Sequence, residues 1–112
     1  MANEEKTYKI TIAPTANDRM AEHFAFLAQV SADAANRLLD ELMEDILSLQ
    51  KMPYRNPIYE RPYVQHGKYR CLISTKRYRI VYQIEGDTVF VDDIHDSRQS
   101  DDKDMLNLGQ RP

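Results

Sequence analysis

Two arginines occupy comparable places on neighbouring predicted strands. Arg70 lies in the segment Tyr69–Ser74 and Arg79 lies in the segment Tyr78–Ile84. Side chains alternate between the two faces of a strand, and we expect the apolar row of each strand to pack under helices, which leaves both arginines on the exposed face. Two guanidiniums on one face can hold a phosphate in bidentate fashion and stabilise negative charge in a transition state. The alternative is that they pair with acidic neighbours such as Asp92.

The apolar rows that define this expectation are short. In the first strand the row is Tyr69, Cys71 and Ile73, with Lys68, Arg70 and Leu72 on the other face. In the second strand the row is Tyr78, Ile80, Tyr82 and Ile84, with Arg79, Val81 and Gln83 opposite.

Further basic and titratable side chains flank these strands. Lys68 precedes the first strand, and Lys76 and Arg77 lie in the turn that joins the two, where they can add contacts to RNA. His95 ends the last predicted strand and Arg98 follows it. A histidine there can act as a general acid or base near neutral pH, with Arg98 as a third cation. Equally, His95 can simply close the sheet and donate a hydrogen bond to a backbone carbonyl.

Tyrosines are concentrated in the same part of the chain. Six of the seven lie between residues 54 and 82: Tyr54, Tyr59, Tyr63, Tyr69, Tyr78 and Tyr82. Aromatic rings among arginines can stack on unpaired bases. The favoured interpretation is simpler, with the strand tyrosines in or beside the core and their hydroxyls at its rim.

Charge is strongly segregated along the chain. The net charge is −3, but residues 53–82 carry seven basic groups against one acidic group, while residues 1–52 and 83–112 are both acidic. Because local fields steer association, an anionic partner would be attracted to the middle third. This pattern predicts an anionic partner, most plainly nucleic acid, for the basic segment.

Length and composition restrict the other classes of function. At 112 residues with 42% hydrophobic residues, we expect one globular domain, its core at about 7–99 and an acidic tail at 100–112. The single cysteine, Cys71, excludes a disulfide framework, and the histidines lack metal-ligand spacing, so neither a metal nor another cofactor is expected. No apolar run reaches membrane-spanning length and the N-terminal segment lacks a secretory signal pattern, which predicts a cytoplasmic protein.

The first half of the chain predicts one strand and two helices. Tyr8–Ala13 alternates and is β-branched, which is typical of a strand, and Pro14 ends it. Thr15 or Asn17 can cap a first helix, and Ser31 can cap a second that ends before Pro53. The second helix carries one apolar stripe, formed by Ala35, Leu38, Leu39, Leu42, Ile46 and Leu49. With almost no linker between them, the helices should form a hairpin.

The second half predicts an ordered loop and three strands. Prolines and tyrosines between Met52 and Gly67 interrupt regular structure. Strands follow at Tyr69–Ser74, Tyr78–Ile84 and Thr88–His95, with Gly86 in the last hairpin turn and a short helix expected around Asp101–Leu108. The order β-α-α-β-β-β predicts an α+β fold, a small antiparallel sheet with a helical hairpin on one face.

This order, with the block Lys68-Tyr69-Arg70, the strand Tyr78-Arg79-Ile80-Val81-Tyr82-Gln83 and the ending Ile94-His95-x-x-Arg98, resembles the RelE/ParE superfamily of toxins from bacterial type II toxin–antitoxin modules. The resemblance extends from Tyr8 to about Gln99. It implies the β-α-α-β-β-β fold, no cofactor, and an antitoxin partner that covers the basic region.

The resemblance implies two alternative activities. RelE-like members cut mRNA in the ribosomal A site with a metal-free cluster of basic residues, and this metal-independent endoribonuclease is the expected function. Arg79 then matches the strand arginine that holds the phosphate, and Arg98 matches the arginine after the last strand. Arg70 stands where RelE-like enzymes have a lysine, and Leu72 where they have another basic residue. ParE-like members instead bind DNA gyrase and are not known as nucleases, and a third alternative is a relative that has lost toxicity.

Overall fold

The computed structural model describes residues 6–97. Within that range the elements are β1 (Lys9–Ile12), α1 (Pro14–Ala28), α2 (Ala32–Ser48), a 3-10 turn (Pro53–Arg55), β2 (Arg70–Ser74), β3 (Tyr78–Glu85) and β4 (Thr88–Asp96). The predicted β-α-α-β-β-β order and α+β class are confirmed. The helix expected around Asp101–Leu108, and the whole acidic tail, lie outside the described residues.

The two helices begin for different reasons. Pro14 starts α1, because a proline at the first helical position loses no hydrogen bond, and Ala13 holds the cap position without a side-chain bond. Capping by Thr15 or Asn17 was therefore a wrong expectation. Ser31 caps α2 as predicted, its Oγ accepting a hydrogen bond from the Ala34 N–H at 3.1 Å. Neither helix combines the length and apolarity that crossing a bilayer needs, within residues 6–97.

The sheet is mixed, with strand order β1-β4-β3-β2. Strands β2, β3 and β4 are antiparallel as predicted. However, β1 pairs in parallel with β4, Lys9 opposite Thr88 and Ile12 opposite Val91, so the expectation of a wholly antiparallel sheet is wrong at β1. A strand shows the same alternation of apolar and polar residues in a parallel pair as in an antiparallel one. The sequence of β1 therefore does not indicate its direction.

The main core lies between the helices and one face of the sheet, which we call the helix face. Its buried residues come from both helices and from β3 and β4: Ala16, Met20, Leu38, Leu42, Ile46, Leu49, Tyr78, Ile80, Tyr82, Val89, Val91 and Ile94. The α2 stripe and the Tyr78 to Tyr82 row are therefore confirmed as core. Burial of this apolar surface is the main force that holds the helices on the sheet.

The pairing of β2 with β3 decides which β2 side chains join that core. Arg70 lies opposite Tyr82 and Leu72 opposite Ile80, so Arg70 and Leu72 are on the helix face, and Leu72 packs against the main core. Cys71 lies opposite Val81, on the other side of the sheet, which we call the outer face. The side chains of β3 lie on the predicted faces, whereas those of β2 lie on the opposite faces. A one-residue change in the register of a strand always exchanges its two faces.

A second, smaller core lies on the outer face. Tyr59, Tyr69, Cys71 and Val81 are its buried residues. A loop over residues 57–68, which we call the outer-face loop, closes it. The Tyr59 N–H donates to the Tyr69 carbonyl at 2.8 Å, and the Cys71 N–H donates to the Pro57 carbonyl at 3.0 Å. The loop is thus tied to the free edge of β2, and burial of Tyr69, Tyr78 and Tyr82 confirms that the strand tyrosines are core residues.

The turn between β2 and β3 has an unfavourable sequence. Thr75 and Lys76 have φ of 56° and 64°, and the Arg77 N–H donates to the Ser74 carbonyl at 3.1 Å. Two consecutive positive φ values at the central positions of the four-residue turn Ser74 to Arg77 are those of a type I′ turn, which favours Asn-Gly. A β-branched residue such as Thr75 is strained there.

We therefore predict that the paired change Thr75→Asn and Lys76→Gly raises the free energy of unfolding by about 1 kcal/mol, because both new residues tolerate positive φ. Urea denaturation measures the difference. Gly86→Ala, at φ 61° in the other hairpin turn, is the control and should lower stability. An unchanged or lower midpoint in the paired variant would contradict the assignment of strain to this turn.

Helix α1 also covers part of the edge of β4 that β1 leaves open. The Nε2 of His23 donates to the Ile94 carbonyl at 3.3 Å, and the His23 ring packs 4.8 Å from that of Tyr78. Burial lowers the pKa of His23, and the hydrogen bond to the Ile94 carbonyl raises it in part. The positive charge of the nearby Arg19 guanidinium lowers the pKa further. The neutral imidazole is therefore the form that the folded protein favours.

Because the pKa of His23 is lower in the folded state than the usual value of about 6.5, the folded protein binds fewer protons than the unfolded chain. Its contribution to stability is complete above about pH 6.5 and is lost as the pH falls below that value. The His23→Gln variant keeps a donor but cannot titrate, so its unfolding free energy should fall less between about pH 7.5 and 5.5. Equal slopes in wild type and variant would refute this.

Candidate functional site

Arg79 stands at the centre of the outer face. It lies opposite Ile73 of β2 and opposite His95 of β4. The residue is half-buried, while Ile73 is 52% exposed. The predicted exposed-face position of Arg79 is confirmed, and its two cross-strand neighbours define the middle of the candidate site.

A second cation on the outer-face side belongs to Arg61 of the outer-face loop. Burial raises the pKa of Cys71 to about 11, and the charges of Arg79 and Arg61 both act against this rise. Both guanidiniums are therefore close to the same thiol, with Arg61 stacked 4.4 Å from the Tyr59 ring centroid. The sequence analysis missed Arg61, because a residue in a proline-containing loop has no periodicity from which its position follows.

Arg70 is on the other side of the sheet and has a structural role. Its Nη1 donates to the carbonyls of Asn56 at 2.7 Å and of Tyr54 at 3.0 Å. Its guanidinium also lies 5.2 Å from the centroid of the Tyr54 ring. Hydrogen bonds from a charged donor are about twice as strong as neutral ones, so these contacts fix the turn at residues 53–56.

Tyr82, the cross-strand neighbour of Arg70, holds the same turn. Its hydroxyl donates to the Pro53 carbonyl at 2.6 Å and accepts from Asn56 Nδ2 at 3.0 Å. Burial raises the pKa of this hydroxyl, so it stays protonated and able to donate. Arg70 and Tyr82 together attach the chain that leaves α2 to the end of the sheet.

The expectation that Arg70 and Arg79 share one exposed face is therefore wrong. The register places them on opposite faces, because Arg70 pairs with Tyr82 and Arg79 with Ile73. Leu72, at the position where a RelE-like enzyme has a basic residue, contributes to the helix-face core instead. Arg61, not Arg70, lies on the same side of the sheet as Arg79.

His95 is fully buried on the outer face. It is 0% exposed, its ring centroid is 6.4 Å from that of Tyr59, and its Nδ1 is 3.9 Å from Oδ2 of Asp93. Asp93 also lies 3.9 Å from Nη1 of Arg19, so this carboxylate stands between α1 and the imidazole. A general acid has to contact the atom it protonates. No atom of His95 is accessible to solvent in this conformation, so it cannot contact a bound substrate. The alternative interpretation, a histidine that closes the sheet, agrees better with this burial.

The three residues predicted to contact RNA lie in different surroundings. Lys68 is exposed and lies 5.5 Å from the Tyr69 ring centroid. Lys76 is exposed at the tip of the hairpin. Arg77 Nε donates to Asp96 Oδ2 at 3.0 Å, in an ion pair with a buried carboxylate. Arg98, the proposed third member of the catalytic cluster, lies outside the described residues.

Two concavities border the helices. A polar cleft of about 350 Å³ between α1 and the hairpin is lined by Arg19, Glu22, His23, Phe26, Arg77, Tyr78 and Asp96. An apolar groove of about 240 Å³ on the helical hairpin is lined by Asn17, Met20, Ala21, Phe24 and Leu39. Between residues 6 and 97, no three His, Cys, Asp or Glu side chains are grouped as a metal site requires.

Comparisons with known proteins agree on the class. A family model described as the ParE toxin of the type II toxin–antitoxin system parDE matches residues 10–100. A solved structure titled "Chromosomal ParDE TA system from P. aeruginosa" is similar at a TM-score of 0.66 and 12% identity, covering 81% of this chain and 97% of that chain. At this identity the likeness concerns the fold. Among curated proteins, none matches the chain by sequence.

If Arg70 acts by holding the turn at residues 53–56, its replacement should lower stability. We predict that Arg70→Ala lowers the free energy of unfolding by about 2 kcal/mol, through two lost charge-assisted hydrogen bonds and a cation–π contact. Arg70→Lys should recover less than half, because an ammonium cannot reproduce the planar fork. Exposed Arg55, in the same turn, is the matched control, and its change to Ala should cost no more than about 0.5 kcal/mol. Full stability of Arg70→Ala would contradict the structural role.

Proposed function

The chain belongs to the ParE toxin family of type II toxin–antitoxin systems, and we propose that it inhibits growth by binding DNA gyrase rather than by cutting mRNA. The family supplies the toxin role, and gyrase is the target that ParE-like members are known to bind. We place this action in the cytoplasm, where its target lies.

The position of Arg70 is the main observation in favour of a binding mechanism over mRNA cleavage. A metal-free ribonuclease of the RelE type needs several basic groups around one phosphate, to activate the nucleophile and stabilise the transition state. Here Arg70 is on the face opposite Arg79 and is bonded to two backbone carbonyls. Leu72 packs against the main core and has no ionisable group. His95 is buried and cannot take the place of the missing basic residue. Among the described residues, the general acid and base of such a cluster are both missing.

The composition of the outer face supports a protein partner. Ile73, which is 52% exposed, lies opposite the half-buried Arg79, and the outer-face loop that carries the half-buried Arg61 also carries Tyr63, which is 79% exposed. Tyrosine and arginine are the residues most enriched at protein–protein hot spots, where apolar neighbours exclude water around them. We propose that this face meets gyrase.

An antitoxin is the other expected partner, since the family consists of toxins from two-component modules. We propose that it covers the outer face and its basic residues, as an acidic chain would be attracted to do. The apolar groove of the helical hairpin, and the exposed Phe26 in the polar cleft, offer further places of contact. This arrangement would block the surface that we assign to gyrase.

The ribonuclease is the rival function, because Arg79 and Lys68 remain where RNA contacts were expected. For cleavage, Arg98 would have to complete the site with Arg79. The two functions differ in what is destroyed in the cell: supercoiling in one, mRNA in the other.

We predict that the purified chain, freed of antitoxin, inhibits gyrase supercoiling of relaxed plasmid, and that induction in a bacterial host relaxes plasmids while mRNA remains intact. Arg79→Glu should weaken inhibition by at least about tenfold, the low range for a charged interface anchor. Arg37→Glu, on the exposed side of α2, makes the same charge change and should leave inhibition within twofold of wild type, about 0.4 kcal/mol.

Translation-coupled mRNA cleavage with unchanged plasmid topology would overturn the gyrase proposal in favour of the ribonuclease. Normal growth and normal topology, with folded protein present, would indicate a relative that has lost toxicity.

A further inference from the structure

A second basic surface lies on the helix side of the molecule, away from the outer face. Four side chains form a continuous ladder of cations and rings on it. Lys6 Nζ lies 4.9 Å from the Tyr8 ring centroid, the Tyr8 and Tyr54 rings meet edge to face at 6.4 Å, and the Arg70 guanidinium lies 5.2 Å from the Tyr54 centroid. With Arg55, which follows Tyr54, these residues make up what we call the ladder surface.

The local charge of the ladder surface is positive, although the chain as a whole carries −3. It is built from residues 6–8, residues 50–59 and Arg70, and the two segments contain Lys6, Lys51 and Arg55 but no Asp or Glu, whereas Lys9 lies on the opposite face of β1. The segments meet because the Tyr8 N–H donates to the Gln50 carbonyl at 2.9 Å. An anion approaching this side would therefore be attracted by several cations at once.

Neighbouring side chains hold the exposed ring of Tyr54 in position. It is 55% exposed, and the contacts with Tyr8 and Arg70 fix its position. The Arg70 guanidinium is itself fixed by the carbonyls of Tyr54 and Asn56. An exposed ring that is already immobilised loses little conformational entropy when a planar ligand stacks on it.

We propose that the ladder surface binds single-stranded nucleic acid, with an unpaired base stacked on Tyr54 and phosphates held by Lys6 and Arg55. Aromatic platforms among cations bind single strands without strong preference for sequence, because every base has a π-face. A duplex keeps its bases stacked inside, so only its phosphates can engage. An acidic peptide would satisfy the cations but has no need of an exposed, fixed ring.

This proposal goes beyond growth inhibition and does not depend on the identity of the toxin's target. The ladder surface is distinct from the outer face, on which Arg61 and Arg79 lie. Binding can therefore be measured with the purified chain and an oligonucleotide alone, and its failure leaves the gyrase assay unaffected.

The test is fluorescence anisotropy with a labelled oligothymidylate, an unlabelled duplex as competitor, and salt at about 50 mM, where phosphate contacts are strong. We expect Tyr54→Leu, which keeps apolar bulk but removes the ring, to weaken binding by at least about fivefold, the low end for loss of one stacked base. Tyr54→Phe keeps the ring and should bind as wild type does. Thermal denaturation of each variant confirms that it is folded.

Two charge changes separate a local site from general attraction. Arg55→Glu and Arg37→Glu alter the net charge equally, but only Arg55 belongs to the ladder surface. The proposal predicts a clear loss for Arg55→Glu and little change for Arg37→Glu.

Three results would overturn the proposal. They are no binding of oligothymidylate at low salt, equal loss for the two charge changes, and unchanged binding in Tyr54→Leu. Preferential, Tyr54-dependent binding of a glutamate-rich peptide would likewise overturn it and assign the surface to a protein partner.

Discussion

The register between β2 and β3 is the constraint on which the rest of the molecule depends. It is set at the hairpin end by the turn that joins Ser74 to Tyr78, in which Thr75 and Lys76 both adopt positive φ. A shift of one residue would exchange the faces of every side chain in β2, moving Arg70 to the outer face and Cys71 under the helices. The strained turn therefore separates two arginines that lie nine positions apart in the sequence, and that separation determines the chemistry open to the protein.

Each face of the sheet then has its own set of contacts around one arginine. On the helix face, Arg70 and Tyr82 attach the turn at residues 53–56 to the sheet. That attachment directs the following chain to the edge of β2, where Tyr59 pairs with Tyr69 and the outer-face loop turns over the sheet. The loop places Arg61 on the outer face and packs Tyr59 near the buried His95. The path of the outer-face loop thus begins at contacts made on the helix face.

Patterns with strong local signals were predictable from the sequence. The α2 stripe, the Ser31 cap, the Tyr78 to Tyr82 row and the element order all follow from periodicity or from turn chemistry. The face of β2 was not predictable, because its two alternating rows each contain apolar residues, Cys71 in one and Leu72 in the other, and only pairing with β3 distinguishes them. The place of Arg61 on the outer face and the packing of Tyr59 near His95 depend on a loop whose path is set by long-range contacts.

The central claim is that Arg70 supports the fold and is not part of a catalytic cluster. It is tested most directly by growth inhibition in a bacterial host expressing Arg70→Ala with and without the stabilising Thr75→Asn/Lys76→Gly turn. Our account predicts that Arg70→Ala loses inhibition in proportion to the protein that is unfolded. The stabilising turn should restore part of it, because a gain of about 1 kcal/mol offsets about half of the expected loss. A stabilised, fully folded Arg70→Ala protein that no longer inhibits growth would contradict the account and return Arg70 to the active site.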